Sequence, residues 1–247
     1  MKASTLRIIS LLTLGAIWEI AGRAGKAHLL PPLSKVITVW IELLVSGQLF
    51  QALAVSFQAL ALGFALSVLF GVPLGLLMGR YRRLESFLEI YMTALLTVPM
   101  ISFIPFLVIA LGLGLHSRVW IVFLFAFVII AVNTTAGVRN VDPTLTEMAR
   151  SFGARESELF VKVILPAAMP MVMAGIRLGM GRAVLGMVTG EMILAVVGFG
   201  AMLMTFSASF NSSALFATLL TIVLLAVALL ALIQYLDRRL MPWRANA

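Results

Sequence analysis

The sequence predicts an all-α integral membrane protein with six membrane-spanning helices and both termini in the cytoplasm. Three observations lead there. Of the 247 residues, 62% are hydrophobic and only 11% charged, and the mean hydropathy is +1.11. The apolar residues gather into stretches of spanning length, and the cations gather between alternate stretches. A soluble domain carries about 25% charge and about 45–50% apolar residues, so ordinary soluble enzymes and disordered chains are excluded.

A span needs roughly 20 apolar residues, about 30 Å at 1.5 Å per residue. Five stretches qualify directly: 53–79, 90–115, 119–138, 170–197 and 213–236. A sixth, 5–21, is shorter and carries Glu19 near its end. Lys2 and Arg7 ahead of an apolar run also fit a signal peptide. No small-x-small cleavage site follows, and Arg23 and Lys26 come soon after. The segment is therefore read as an uncleaved first helix.

Orientation follows from the cations. One side holds Lys2, Arg7, Arg80, Arg82, Arg83, Arg139, Arg150, Arg155, Lys162, Arg238, Arg239 and Arg244; the other holds Arg23, Lys26, Lys35 and Arg118. Twelve against four puts the first set in the cytoplasm. Arg177 and Arg182 fall near or inside a helix. The net charge of +8 thus reports membrane orientation, and no nucleic-acid partner is expected. With no cysteine and only His28 and His116, thiolate metal sites, cysteine nucleophiles and HExxH sets are absent. Neither a metal site nor a catalytic residue is expected.

Two connections are long. The external segment 22–52 contains Pro31-Pro32 and then an amphipathic stretch with Val36, Ile37, Val39, Trp40, Leu43 and Leu44. It reads either as a helix lying among lipid headgroups or as one packed on the ends of the bundle. The cytoplasmic segment 139–166 has Asp142 as a helix cap and Pro143 as a first helical residue. Leu145, Met148, Phe152, Leu159, Phe160 and Val163 recur at near-helical spacing. Two short helices meeting at Gly153 are expected, with Pro166 ending the run. An apolar stripe on such a loop needs a partner, either its own bundle or another subunit.

This loop reads Glu147-Met148-Ala149-Arg150-Ser151-Phe152-Gly153, then eleven residues, then Leu165-Pro166. It resembles the EAA loop of ABC-importer permeases, with Met148 in place of the second alanine. Leu30-Pro31-Pro32, Gly71-Val72-Pro73-Leu74-Gly75 through Gly79, Gly175-Ile176-Arg177-Leu178-Gly179, Glu191-Met192 and Pro242-Trp243 resemble the nitrate, sulfonate and taurine group of that family.

The resemblance implies a type I importer fold in one domain, a bacterial multi-pass inner-membrane protein that pairs with a second copy of itself. It implies two ABC ATPase subunits, which bind the ATP and Mg, and a periplasmic or lipid-anchored substrate-binding protein. It marks Glu147, Met148, Ala149, Phe152, Gly153, Ala154, Leu165 and Pro166 as the coupling residues. Glu147 would cap its helix or pair with a basic ATPase residue. The chain has no G-x-x-x-x-G-K-[ST] of its own, so it holds no nucleotide cofactor.

Polar groups inside the spans are the candidates for a translocation path or gate. Glu191 lies in an apolar stretch, where a carboxylate must face the bundle interior, a cavity or a cation. It reads as a gate group, or as a structural hydrogen-bonding group or partner of Arg177 or Arg182. The third span holds Pro99 and Pro105, which bend it. By resemblance it faces the path, with Thr97, Pro99 and Ser102 on it and Asn133 on the next span; packing alone is the other reading. Gly175-x-x-x-Gly179 and Gly186-x-x-x-Gly190 read as close-packing motifs. The function expected is ATP-driven import of a small organic or inorganic anion, such as a sulfonate, taurine, nitrate or an aromatic acid. The alternative is an ATPase-independent secondary transporter or channel.

Overall fold

The computed structural model describes residues 3–25 and 30–241. Lys2, Lys26, His28, the Pro242-Trp243 pair and Arg244 lie outside the described residues. The described residues are helical, with no strand among them. In chain order the helices are α1 (Ala3–Ala24), α2 (Leu33–Val45), α3 (Gln48–Arg80), α4 (Arg82–Thr97), α5 (Ile104–Leu111), α6 (Leu115–Arg139), α7 (Pro143–Ser151), α8 (Glu156–Leu159), α9 (Leu165–Leu194), α10 (Gly198–Ala208) and α11 (Ser212–Leu240). Among the described residues, four helical stretches are long and apolar enough to cross a membrane, and the bent α4–α5 pair makes a fifth. The chain forms two compact units, one of residues 1–56 with 191–225 and one of 57–190 with 226–247.

In the first unit, α1 forms a 22-residue helix over the stretch expected to be the first span. Pro32 precedes α2 and offers no side-chain cap. Glu19 supplies it from α1: its carboxylate accepts from the Ser34 backbone N–H and hydroxyl, both at 2.9 Å. That satisfies an orphan donor of the first turn. Trp18 donates to the Pro31 carbonyl at 3.1 Å, and Trp40 donates to the Thr221 hydroxyl at 3.0 Å. Val36 and Leu43 are buried in the unit, while Ile37, Ile41 and Val45, spaced four apart, stay exposed.

The second unit is built around α6, with 56% of its best apolar window buried, the highest share among the candidate spans. Gly63, Gly71, Gly75 and Gly79 bring α3 against it, and Gly175, Gly179, Gly186 and Gly190 bring α9 against it. A Cβ at Gly75 would stand 2.5 Å from the Ala131 carbonyl oxygen. Small residues permit such backbone approach in a membrane, where apolar burial alone does not drive helices together. The packing reading of the α9 glycines therefore holds.

Between α3, which ends at Arg80, and α4, which begins at Arg82, stands only the extended Tyr81 (φ −111°, ψ 102°). Two expectations are corrected. The third span is broken rather than curved. Val98 is extended (φ −71°, ψ 132°), as the residue before a proline prefers, and α4 meets the following helical segment at 97°. Pro105 opens α5, where its missing N–H costs nothing. Pro166, finally, does not end a helix; the chain is helical without interruption from Glu156 to Leu194. A π turn over Phe160–Ile164, with Leu165 N–H bonded to the Phe160 carbonyl, widens the helix just before the proline. That relieves the clash its ring would make in a regular helix.

Candidate coupling surface and interior cavity

The α7–α8 element takes the expected form. Asp142 accepts from the Thr144 N–H at 2.8 Å and Pro143 occupies the first turn. Gly153 turns the chain at φ +79°, a conformation that a β-carbon disfavours. The Ala154 N–H closes the turn onto the Ala149 carbonyl at 3.1 Å. Asp142, not Glu147, is the cap. Glu147 lies exposed in the body of α7 with no ion pair among the described residues.

Ion pairs fix the element to the helices behind it. Glu156 accepts from Arg80, at the end of α3, at 2.8 Å and lies 3.0 Å from the Arg150 guanidinium on α7. Arg80 also sits 5.6 Å over the Phe160 ring. Glu158 accepts from the Arg155 N–H at 3.2 Å and from Lys162 at 3.0 Å. The Arg80 hydrogen bond, then the Arg150 charge, hold the Glu156 carboxyl below its ordinary value. Lys162 and the Arg155 N–H do the same for Glu158.

The apolar stripe is divided between two roles. Ala149, Phe160 and Val163 pack with buried Val138, Leu159, Ile164 and Ala168. Leu145, Met148 and Phe152 stay outside, at 45%, 54% and 86% exposure. Leu165 and Pro166 are half-buried at the start of α9.

The second unit has an open-sided cavity of about 280 Å³, with Thr97, Pro99 and Arg182 exposed at it. Thr97, Pro99, Phe125, Arg182 and Thr189 line it. A shallower groove of about 590 Å³ continues from Thr97 along α4 past Thr93, Glu89 and Ser86. Two expected path residues, Thr97 and Pro99, therefore meet at a cavity. Ser102 is exposed within a 3-10 turn whose first bond runs from its N–H to the Pro99 carbonyl. Asn133 is half-buried, donates to the Ile129 carbonyl at 2.7 Å, and packs against Gly175. Neither Ser102 nor Asn133 lines this cavity. Arg182 and Thr189 were not among the expected path residues. The signal was a cation deep in an apolar helix, which the sequence allowed to be a partner for Glu191.

Glu191 belongs to the first unit, almost fully buried at 1% exposure. Its carboxylate accepts from the Ser56 hydroxyl at 2.8 Å and from the Gly200 N–H at 3.1 Å. The Ser56 hydroxyl oxygen in turn accepts from the Phe199 N–H at 3.0 Å. Val197 provides no side-chain cap for α10, so the carboxylate and the serine cap it together. Arg177 pairs with Asp237. Within this unit Glu191 has the hydrogen-bonding role that the sequence set beside the gate.

Spanning helices packed through glycine, a mostly apolar cavity that carries one arginine and a helix pair presenting apolar side chains are features of a helical membrane permease. The chain belongs to the binding-protein-dependent transport system inner membrane component family, which it matches over residues 71–242. It is 33% identical over 230 or so residues to the putative aliphatic sulfonates transport permease SsuC of Bacillus subtilis, covering 93% of this chain and 84% of that one. It is 29% identical to the taurine transport permease TauC of Escherichia coli, covering 98% and 90%. The fold resembles that of the MetNI methionine ABC transporter in inward-facing form, with a TM-score of 0.59 and 23% identity over 84% of this chain and 97% of that one. The chain is accordingly an ABC-importer permease, a transporter component and not an enzyme.

Proposed function

We propose that two copies of this chain form the membrane pore of a bacterial inner-membrane importer for a small anion, driven by two ATPase subunits. Each copy contributes six spans, α1 being the first, with both termini in the cytoplasm. A periplasmic or lipid-anchored binding protein delivers substrate, and the ATPases bind the ATP and Mg. The relatives named for aliphatic sulfonates and taurine support an anionic substrate.

The carrying observation is the divided stripe on α7–α8. Leu145, Met148 and Phe152 face outward on an element whose inner side is packed and pinned to α3. Apolar anchors on a helix suit a groove in a partner, and the pinned inner side carries the partner's movement into the bundle. Closure of the ATPases on α7 would thus reach α3 through Arg80 and α9 through the helix continuous with α8. Alternating access follows as rocking of those helices.

The test is a gentle-detergent pull-down of the tagged chain co-expressed with its genomic neighbours. An ATPase recovered in stoichiometric amounts, and lost when Glu147 and Gly153 are replaced, supports the reading. A stable particle of this chain alone, with uptake following an ion gradient, overturns it in favour of a secondary transporter.

A further inference from the structure

Arg182 stands 17 residues after Leu165 and 12 before Leu194 on α9. Within the helical part of the expected span, 170–194, Arg182 lies 12 residues from each end, about 18 Å at 1.5 Å per residue, too far for its side chain to snorkel to either. A cation at that depth needs a carboxylate or a water-filled space. The neighbouring cation, Arg177, has the carboxylate, paired with Asp237. Arg182 has no ion pair among the described residues and is the one charged residue lining the 280 Å³ cavity.

We propose that Arg182 forms a transit site for small anions, sulfonates and carboxylates, inside this cavity. The word transit rests on the permease reading; the anion site itself does not. The guanidinium offers a planar fork of donors that matches two oxygens of such a group. The rest of the lining holds the anion weakly. Thr97 already donates to the Thr93 carbonyl at 2.8 Å and Thr189 to the Leu185 carbonyl at 2.7 Å. Both hydroxyls keep only lone pairs for the cavity, which suit water better than an anion. A site with a single cation lets its occupant leave, as conduction requires. The groove along Ser86, Glu89 and Thr93 meets the cavity at Thr97. Its one carboxylate, Glu89, lies at the far end from Thr97, so the attraction is local to Arg182.

The chain has no cysteine, so one introduced thiol reports one place. Thr97→Cys is made in the full chain, in membrane fragments open on both sides. Its reaction rates with 2-sulfonatoethyl and 2-trimethylammonioethyl methanethiosulfonate are compared with those of a free thiol in water. The sulfonate reagent is itself an anion of the proposed class. The expected result is an anion-over-cation preference above that of the free thiol, falling about tenfold with Arg182→Gln, a size set by one unit charge at close range. Arg182→Lys retains most of it. A Thr97→Cys protein that neither reagent modifies, a preference at or below that of the free thiol, or one unchanged by Arg182→Gln overturns the proposal. The readout needs no ATPase, so loss of the permease reading and loss of this site are distinguished.

Discussion

Arg80 and Glu156 lie 76 residues apart in sequence, yet their side chains meet at 2.8 Å where α3 ends and α8 begins. Both groups are solvated, so such a pair adds little stability. Its consequence is geometric. With Arg150 on the other side, one carboxylate fixes the angle between α3, α7 and α8.

Glu156→Gln should therefore leave expression and thermal stability nearly unchanged while weakening the coupling of ATP hydrolysis to uptake several-fold. The check is the number of ATP molecules consumed per substrate moved in reconstituted vesicles. An unchanged ratio would remove the mechanical role.

The same carboxylate gives a pH dependence. Glu156 and Glu158 both titrate below their ordinary value of 4.5 when folded. A lowered folded pKa means stabilisation that is complete above the unfolded pKa and lost as pH falls through the folded one. Hydrogen exchange of the 143–159 amides, corrected for intrinsic rates, should be flat from pH 7 to about 5 and show increasing opening below about 4.5. Opening that grows between pH 7 and 5 instead would contradict this assignment.

Ser56→Ala leaves the buried Phe199 N–H without its acceptor, a cost of about 1–3 kcal/mol. Glu191→Gln keeps a carbonyl oxygen for Gly200 and Ser56, whereas Glu191→Ala removes it. The capping geometry predicts that the glutamine variant keeps most of the thermal stability and transport, and that the alanine variant loses both. A stable glutamine variant with no transport would point to the gate role.

Gly75→Leu forces a side chain against the Ala131 carbonyl and Thr134 Cβ, 2.5 and 2.6 Å from its β-carbon. Overpacking of this kind costs about 1–3 kcal/mol or more, and the melting temperature in detergent should fall. Gly153→Leu meets nothing within 4 Å. It strains only its own backbone, by about 1–2 kcal/mol, so it should insert normally and fail at uptake. Normal uptake by the Gly153 variant would sink the coupling role of that turn.

What the sequence made legible was local. Asp142, Pro143 and Gly153 each act through neighbours within a few positions, so the α7–α8 turn could be placed before any coordinates. The glycine spacings announced close packing for the same reason. Glu191 was visible as an oddity, but Ser56 lies 135 residues away and no spacing rule connects them. The break at Val98 was legible only as two prolines. Which proline would split the helix and which would start the next depended on where α4 ended. Pro166 misled because a proline stops a regular helix, and the π turn ahead of it has no sequence signature.

That π turn sets the rotational phase of the docking surface. Each residue of an α-helix turns the chain by about 100°, and the Phe160–Ile164 turn contains the residue that offsets α8 against α9. Deleting one residue there would restore a regular helix and swing Leu159 out of its pocket without changing a single contact side chain. Register, rather than chemistry, is thus a separate dial on this surface. Two permeases with the same apolar anchors but different turn lengths would present them to different partners.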